Sequence, residues 1–506
     1  MISYSNIMAL PNFFPTEIHR RRAFPDRRQT DTLDALVVIA GPETRLLARL
    51  PHASGWRQLH RRARPQALTV RVATLPAARQ PTAVLGYAKA DASAFEQLAL
   101  AGKLLRALSD RRPRHLQLVV DDSLSDAAAW YEALLTAALT ERFALPAYRS
   151  HPKPPWPLQR IDFGPAPPLD LPRIVAAAEA SNLARSLTAQ PPNKLDARAY
   201  RRLLGTLAKR HRLQLRWFSE TALRRLGAGA FLAVSRGNAA RDAGIARLSY
   251  RGARRRRTLD AALVGKGILF DTGGINLKPH RYMLDMHTDM GGSAVALATL
   301  VALAQLRAPL NVDAWLAISE NNIGPDAYRP QDVVRALNGT TIQVIHSDAE
   351  GRMVLADTLA LAARSRPRAL IDFATLTGAC VHALTERYSG VFSNRPQLAD
   401  TLVDAGRTSG ERVWAFPMDE DFDGDLDSSV ADIVQCPVDG KGDHILAARF
   451  LKRFVPDHIP WVHVDLSSAT RRGGLAHVGT EVTGFGVRWA LELLLSPRLA
   501  AVQAAT

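Results

Sequence analysis

Cysteine is almost absent: Cys380 and Cys436 are the only two in 506 residues. Two cysteines build neither a disulfide framework nor a zinc ribbon. They suit a reducing compartment, and a cytoplasmic protein is expected. No uninterrupted apolar run reaches the ~18 residues of a membrane span, so no membrane partner is expected. The N-terminal stretch has no basic-then-apolar order and does not read as a Sec signal. HExxH, CxxC and GxSxG are missing. Gly265–Lys266–Gly267 lacks the Ser/Thr that follows the lysine of a phosphate-cradling loop, and GAGAFL at 227–232 lacks the last glycine of a dinucleotide fingerprint. The common zinc-hydrolase, redox and nucleotide sites therefore fail on residues.

Lysine is scarce as well, with nine against 56 arginines. The net charge of +17 permits an anionic partner such as nucleic acid. Its distribution argues against a dedicated tail: residues 1–180 hold 24 basic and 16 acidic residues, and the rest 41 and 32. The densest run, Arg254–Arg257, precedes an apolar strand and reads as a solvated surface turn. Hydrophobic residues at 47 % and charged residues at 22 % exclude a disordered chain and supply more than one core.

Residues 1–30 read as an irregular basic arm. From Asp34 short β-rich runs (ALVVIAG, ALTVRVATL, HLQLVV) alternate with helical stretches at 91–109 and 124–144, as in an α/β domain. Prolines crowd residues 151–172, which forbids a continuous helix or a central strand there and marks the domain boundary. The expected division is an arm at 1–30, an N-terminal α/β domain at 31–165 and a C-terminal domain at 166–506. A helix at 173–189 comes first in the latter. LDAALVGKGILFD, NVDAWLAISE, TIQVIH and RALIDFATL then read as strands. GGSAVALATLVALAQL, YRPQDVVRAL and RMVLADTLALAAR read as helices between them. Apolar strands separated by helices predict an α/β/α domain with a mixed, largely parallel sheet, and ligands beyond the C-terminal strand ends.

Two segments carry the chemistry. In VGKGILFDTGGINLKPHRYMLDMHTDMGG (264–292) an apolar strand ends in Asp271, two glycines allow a tight turn, and Lys278, Asp285 and Asp289 follow. Lys266 sits inside the strand, where an amine must be neutral, paired or metal-bound. In HSDAEGRMVLAD (346–357) an extended backbone would turn Asp348, Glu350 and Arg352 to one side. Clustered carboxylates repel one another unless cations fill the space between them, and an oxygen-rich set with an occasional nitrogen suits Mn, Mg or Zn in a two-metal site. Asp285 reads as a turn or capping residue, Met283 and Met286 as core, and His280, His287 and His346 as solvated neighbours rather than ligands.

These segments, with LTAQPPNKL (187–195), ENNIGPDAYRPQDVV (320–334), ATLTGAC (374–380), SSVADI (428–433) and TGFGVR (483–488), resemble the leucyl (cytosol) aminopeptidases of peptidase family M17. HSDAEGR matches that family's NTDAEGR. The resemblance spans roughly 180–490, and residues 31–165 are similar to the family's macro-like N-terminal domain in general pattern. It implies an enzyme that removes N-terminal residues from peptides, with two Zn or Mn ions and a homohexameric assembly. Lys266, Asp271, Asp289 and Glu350 would ligate one ion, and Asp271, Asp348 and Glu350 the other. The attacking group would be a metal-bridged hydroxide. Lys278 would polarise the scissile carbonyl, and Arg352 would hold a bicarbonate ion as general base. Met286, Thr375 and Gly378 would line the side-chain pocket. Some bacterial members also bind DNA, an alternative role that the positive charge permits. The chain departs from the family at His346–Ser347, at Thr272, at GKGDHILAARFL (440–451) in place of a Gly-Gly-rich loop, and at HVDLSSAT (463–470).

Overall fold

The computed structural model describes residues 16–61, 66–152, 154–253 and 255–505. Six strands form the first sheet: β1 (Glu17–Arg20), β2 (Ala35–Ala40), β3 (Val70–Thr74), β4 (Thr82–Tyr87), β5 (His115–Val120) and β6 (Arg160–Phe163). Their order is β1-β6-β5-β2-β4-β3, with only the β3–β4 pair antiparallel. β2 and β4 are buried along their whole length, as strands covered on both faces must be. Helices Ala94–Arg106 and Ala127–Glu141 pack on one face, and Trp56, Leu46 and Leu47 cover the other.

Two elements differ from the sequence expectation. Residues 16–30 are not an irregular arm: β1 extends the sheet, and Arg27–Thr30 is a helical turn closed by a capping box on Asp26. Residues 1–15 lie outside the described residues. The proline-rich segment also contributes an internal strand. β6 occupies a proline-free stretch of it and pairs with β1 on one side and β5 on the other, so every ladder N–H is available.

The second sheet is built from β7 (Gln214–Ser219), β8 (Gly244–Arg251), β9 (Ala261–Asp271), β10 (Asn311–Asn321), β13 (Leu370–Ala374), β14 (Ser389–Ser393), β15 (Val413–Ala415) and β17 (Trp461–Asp465). Its order is β15-β14-β17-β13-β9-β10-β8-β7. The four central strands, β17, β13, β9 and β10, run parallel, and β8, β7 and β14 join antiparallel. One apolar layer holds the helices Leu171–Thr188, Ala197–His211 and Gly291–Gln305 against the sheet. The other holds Glu350–Ala363 and Asp443–Lys452. The two-domain α/β organisation is thus present, with the helix Leu171–Thr188 packed against helices of both parts. The remaining strands, β11 (Val333–Arg335), β12 (Thr341–Gln343) and β16 (Ile433–Val434), form a small separate sheet.

The segment 328–337 is not the helix that its pattern suggests. Pro330 lacks an N–H, and Asp332 accepts from Arg329 N at 3.1 Å, a local bond that competes with helix. Val333–Arg335 then pairs with β12. Arg255–Arg257 are exposed ahead of β9, as a surface turn should be, and Arg254 lies outside the described residues. Cys380 and Cys436 are free and buried.

Candidate active site

The central parallel strands deliver their C-terminal ends to one place. β9 ends on Asp271 and β10 on Asn321, the two residues being paired in register. Asp271 Oδ1 accepts from Asn321 Nδ2 and from Gly273 N, both at 2.8 Å. Asn321 Nδ2 also donates to Ser347 O at 3.0 Å, tying the β9 end to the second motif. The turn after Asp271 needs its glycines: Gly273 and Gly274 have φ of 87° and 63°, and a Cβ on Gly273 would lie 2.4 Å from Asn276 O. Ser347 closes the junction. Its hydroxyl donates to Gly273 O at 2.6 Å, and its N–H donates to Asn276 Oδ1 at 2.8 Å. At this position serine supplies the hydroxyl and hydrogen bonds that the loop requires.

Asp271, Asp348 and Glu350 bring one carboxylate oxygen each within 4.8 Å of one another. They converge differently from the sequence expectation. The chain is not extended through 352, because Glu350 opens the helix Glu350–Ala363 and Arg352 lies in its first turn. Arg352 makes a buried contact with Asp443 and Gln435 O and stays within the electrostatic reach of Glu350.

Two lysines hold the cluster together. Lys266 Nζ, 4 % exposed, lies 2.8 Å from Asp289 Oδ1, 2.9 Å from Glu350 Oε1 and 2.9 Å from Thr375 O. Burial works against its charge, but Asp289, Glu350 and Asp271 outweigh that and raise its pKa. Here it is an ammonium paired with carboxylates. Lys278 Nζ lies 2.9 Å from Asp271 Oδ2 and 2.5 Å from Asp348 Oδ1, and the same balance of burial against carboxylates raises it too. Burial, then the charges of Asp271 and Glu350, push the Asp348 carboxyl up to about 7. Asp289 and Glu350 are raised for the same kinds of reason.

Four carboxylates against two ammoniums leave a net deficit of two positive charges. Asp289 Oδ2 and Glu350 Oε2 are buried and accept no hydrogen bond. Unpartnered buried carboxylate oxygens are costly, and divalent cations supply both the charge and the missing contacts. The residues present fit a metal centre.

The flanking residues divide. Thr375 Oγ1 donates to Asp289 Oδ1 at 2.8 Å, while Gly378 is exposed and faces open space. Met283 and Met286 are half-buried rather than core. Asp285 precedes the short turn Met286–Thr288 without a side-chain cap bond. His280 and His346 are exposed, His287 is half-buried, and none belongs to the carboxylate cluster.

Sequence reading missed three supports. Asn321 fixes Asp271. Asp465, at the end of β17, accepts from Leu376 N at 3.2 Å and Thr377 Oγ1 at 2.7 Å and so shapes the 375–378 turn. Gln435 accepts from Ile345 N and His346 N at 3.1 Å and donates to Ala349 O at 3.0 Å, which pins the second motif. Their only signal is a polar residue at or near a strand's C-terminal end.

Comparison with known proteins agrees with this geometry. A sequence profile for the catalytic domain of the cytosol aminopeptidase family matches residues 182–491. A probable cytosol aminopeptidase of Syntrophotalea carbinolica is 40 % identical over 443 residues, 83 % of this chain and 86 % of that protein. One from Corynebacterium diphtheriae is 37 % identical over 368 residues, 70 % and 72 % of the two chains. Among solved structures, the bottromycin maturation enzyme BotP in complex with Mn superposes with a TM-score of 0.80 at 32 % identity, covering 93 % of this chain and 99 % of that one. A tomato leucine aminopeptidase mutant gives 0.82 at 25 % identity, over 96 % and 98 %. With its carboxylate–lysine cluster at the strand ends, the profile match and these relatives, the chain belongs to the cytosol aminopeptidase family and is a metallo-aminopeptidase.

Proposed function

We propose that this enzyme removes N-terminal residues from peptides at a two-metal centre. Lys266, Asp271, Asp289 and Glu350 would hold one ion, and Asp271, Asp348 and Glu350 the other, with Zn or Mn as the metal. The observation that carries the reading is the convergence of Asp271, Asp348 and Glu350 within 4.8 Å beside two buried lysines. The relative solved with Mn supports the choice of ion. Bound there, divalent ions would acidify the attacking water, polarise the scissile carbonyl and take the substrate's free amine.

The chain's own groups do the rest. Lys266 would serve as a ligand only as the neutral amine, its proton released to solvent on metal binding. Lys278, released from Asp271 and Asp348 but still charged, donates to the oxygen of the scissile carbonyl as negative charge develops on it. Met286, Thr375 and Gly378 receive the N-terminal side chain, with room left beside Gly378. The bicarbonate expected on Arg352 does not fit the contacts of that guanidinium, which Asp443 and Gln435 O already occupy. We place the enzyme in the cytoplasm as a homohexamer. Its relatives' names support the location, and the exposed Leu277, Tyr282 and Leu284 near the site are apolar surface that an assembly would cover.

The test is hydrolysis of leucine p-nitroanilide and a dipeptide panel. Activity is expected to disappear on chelation, return with Mn²⁺ or Zn²⁺, and fail on N-acetylated substrates. Cleavage of blocked peptides, or full activity under chelation, would overturn the reading.

Gly351 provides a check on the Lys266 position. A Cβ there would sit 2.6 Å from Lys266 Cε and 2.7 Å from Nζ. Gly351→Ala is expected to displace that amine and weaken metal binding by roughly 10–100-fold, the usual scale for disturbing a ligand's orientation. A metal titration indistinguishable from wild type would refute the placement.

A further inference from the structure

Arg352 presents an occupied guanidinium. Its Nη2 lies 2.7 and 2.8 Å from the two oxygens of Asp443, Nη1 donates to Gln435 O at 3.2 Å, and Nε is buried without a partner. The Arg352 side chain is 2 % exposed, whereas that of Asp443 keeps 24 %, so the carboxylate retains an open face. Asp443 follows Gly442, which has φ of 61°, and begins the helix Asp443–Lys452, within the stretch that departs from the family's Gly-Gly-rich loop. Gln435 binds the backbone of 345–349 and Arg352 together, so Asp443 is fastened to the motif that carries Asp348 and Glu350.

A carboxylate and a bicarbonate offer the same charge and a similar pair of acceptor oxygens. Two such anions on one guanidinium nitrogen repel each other. We propose that Asp443 takes the place of bicarbonate: held by Arg352, its carboxylate is the base that accepts a proton from the attacking water. A water O–H gives its proton to an Asp443 oxygen as the water oxygen bonds to the scissile carbonyl carbon. That proton then passes to the peptide nitrogen as the C–N bond breaks. An amino acid and a peptide one residue shorter leave, and Asp443 is ionised again. The proposal rests on the aminopeptidase reading above.

The experiment compares zinc-loaded wild type, Asp443→Gly and Asp443→Asn in CO₂-free buffer and with added ¹³C-bicarbonate. Both leucine p-nitroanilide hydrolysis and the linewidth of the labelled carbon are followed. Wild type is expected to run equally fast in both buffers and to leave the label sharp. Asp443→Gly should lose roughly 10²-fold in kcat, the lower range for a general base, broaden the label, and regain about tenfold with bicarbonate. Asp443→Asn should be as slow and gain nothing, because its amide still fills the space; a merely structural role would not separate the two variants in this way. A wild type that broadens the label and accelerates with bicarbonate would overturn the proposal, as would an Asp443→Gly enzyme as fast as wild type. If wild type cleaves nothing in either buffer, the aminopeptidase reading itself fails. The label then still reports on Asp443: broadening by wild type counts against it, and broadening by the glycine variant alone supports it.

Discussion

Lys278→Met is expected to lower kcat by roughly 10²–10³-fold, the scale of losing one donor to a developing oxyanion, while metal stays bound. Methionine keeps most of the length and none of the charge. In the metal-free protein the ammonium pairs with Asp271 and Asp348 at 2.9 and 2.5 Å, so it competes with cations for those oxygens. Removing it takes away a competitor as well as a catalyst. Metal affinity should hold or rise while kcat falls and KM changes little, and metal-free Lys278→Met should melt below metal-free wild type. The combined readout is metal content with steady-state kinetics. A variant that loses its metal together with its activity would make Lys278 a structural counter-ion instead.

Glu350→Gln is the second large effect. Glu350 is 1 % exposed and shared between both proposed ion sites, and its Oε1 contacts Lys266 at 2.9 Å. Glutamine preserves the shape and a hydrogen bond to the lysine, and Lys266 keeps Asp289 as partner at 2.8 Å. The fold should therefore survive where Glu350→Ala leaves a cavity. What goes is one of four negative charges that make the centre attractive to dications. Lewis-acid stabilisation is worth several kcal/mol, and each ~1.4 kcal/mol is tenfold in rate. Activity should fall by about 10³-fold or more, with metal loss visible by elemental analysis. Near-normal rates with full metal content would remove Glu350 from the ligand set.

Lys266 shows why the cluster tolerates no casual change. Removing its buried ammonium leaves Asp289 and Glu350 without their nearest cation, a rupture that typically destabilises by about 3–5 kcal/mol. Arginine is no remedy, since guanidinium stays protonated and cannot become a ligand. Lys266→Arg should lower metal occupancy.

Much of this site was legible because its parts are local. Asp271 and Lys278 flank a two-glycine turn at the end of an apolar run, and Asp348 and Glu350 lie two residues apart. The supports were not legible because they come from far along the chain: Asn321 reaches Asp271 across 50 positions, Gln435 reaches Ala349 across 86, and Asp443 reaches Arg352 across 91. The extended run expected through 352 is absent for a local reason. The helix begins at Glu350, so the two-residue alternation of an extended chain stops there, and Arg352 pairs with Asp443 while still feeling the charge of Glu350. In the fold, long apolar strands such as β9 and β10 were plain. β1 and β11 are short, mostly exposed strands, and only pairing with a neighbour defines them.

We propose the carboxylate–lysine cluster as a two-metal catalytic centre. Titrating metal-free protein with Mn²⁺ while following bound metal and leucine p-nitroanilide hydrolysis together tests it most directly. Binding should saturate at about two ions per chain, with the rate rising as the sites fill. A protein that binds no Mn²⁺, or one that hydrolyses the substrate at full rate before any is added, would contradict it.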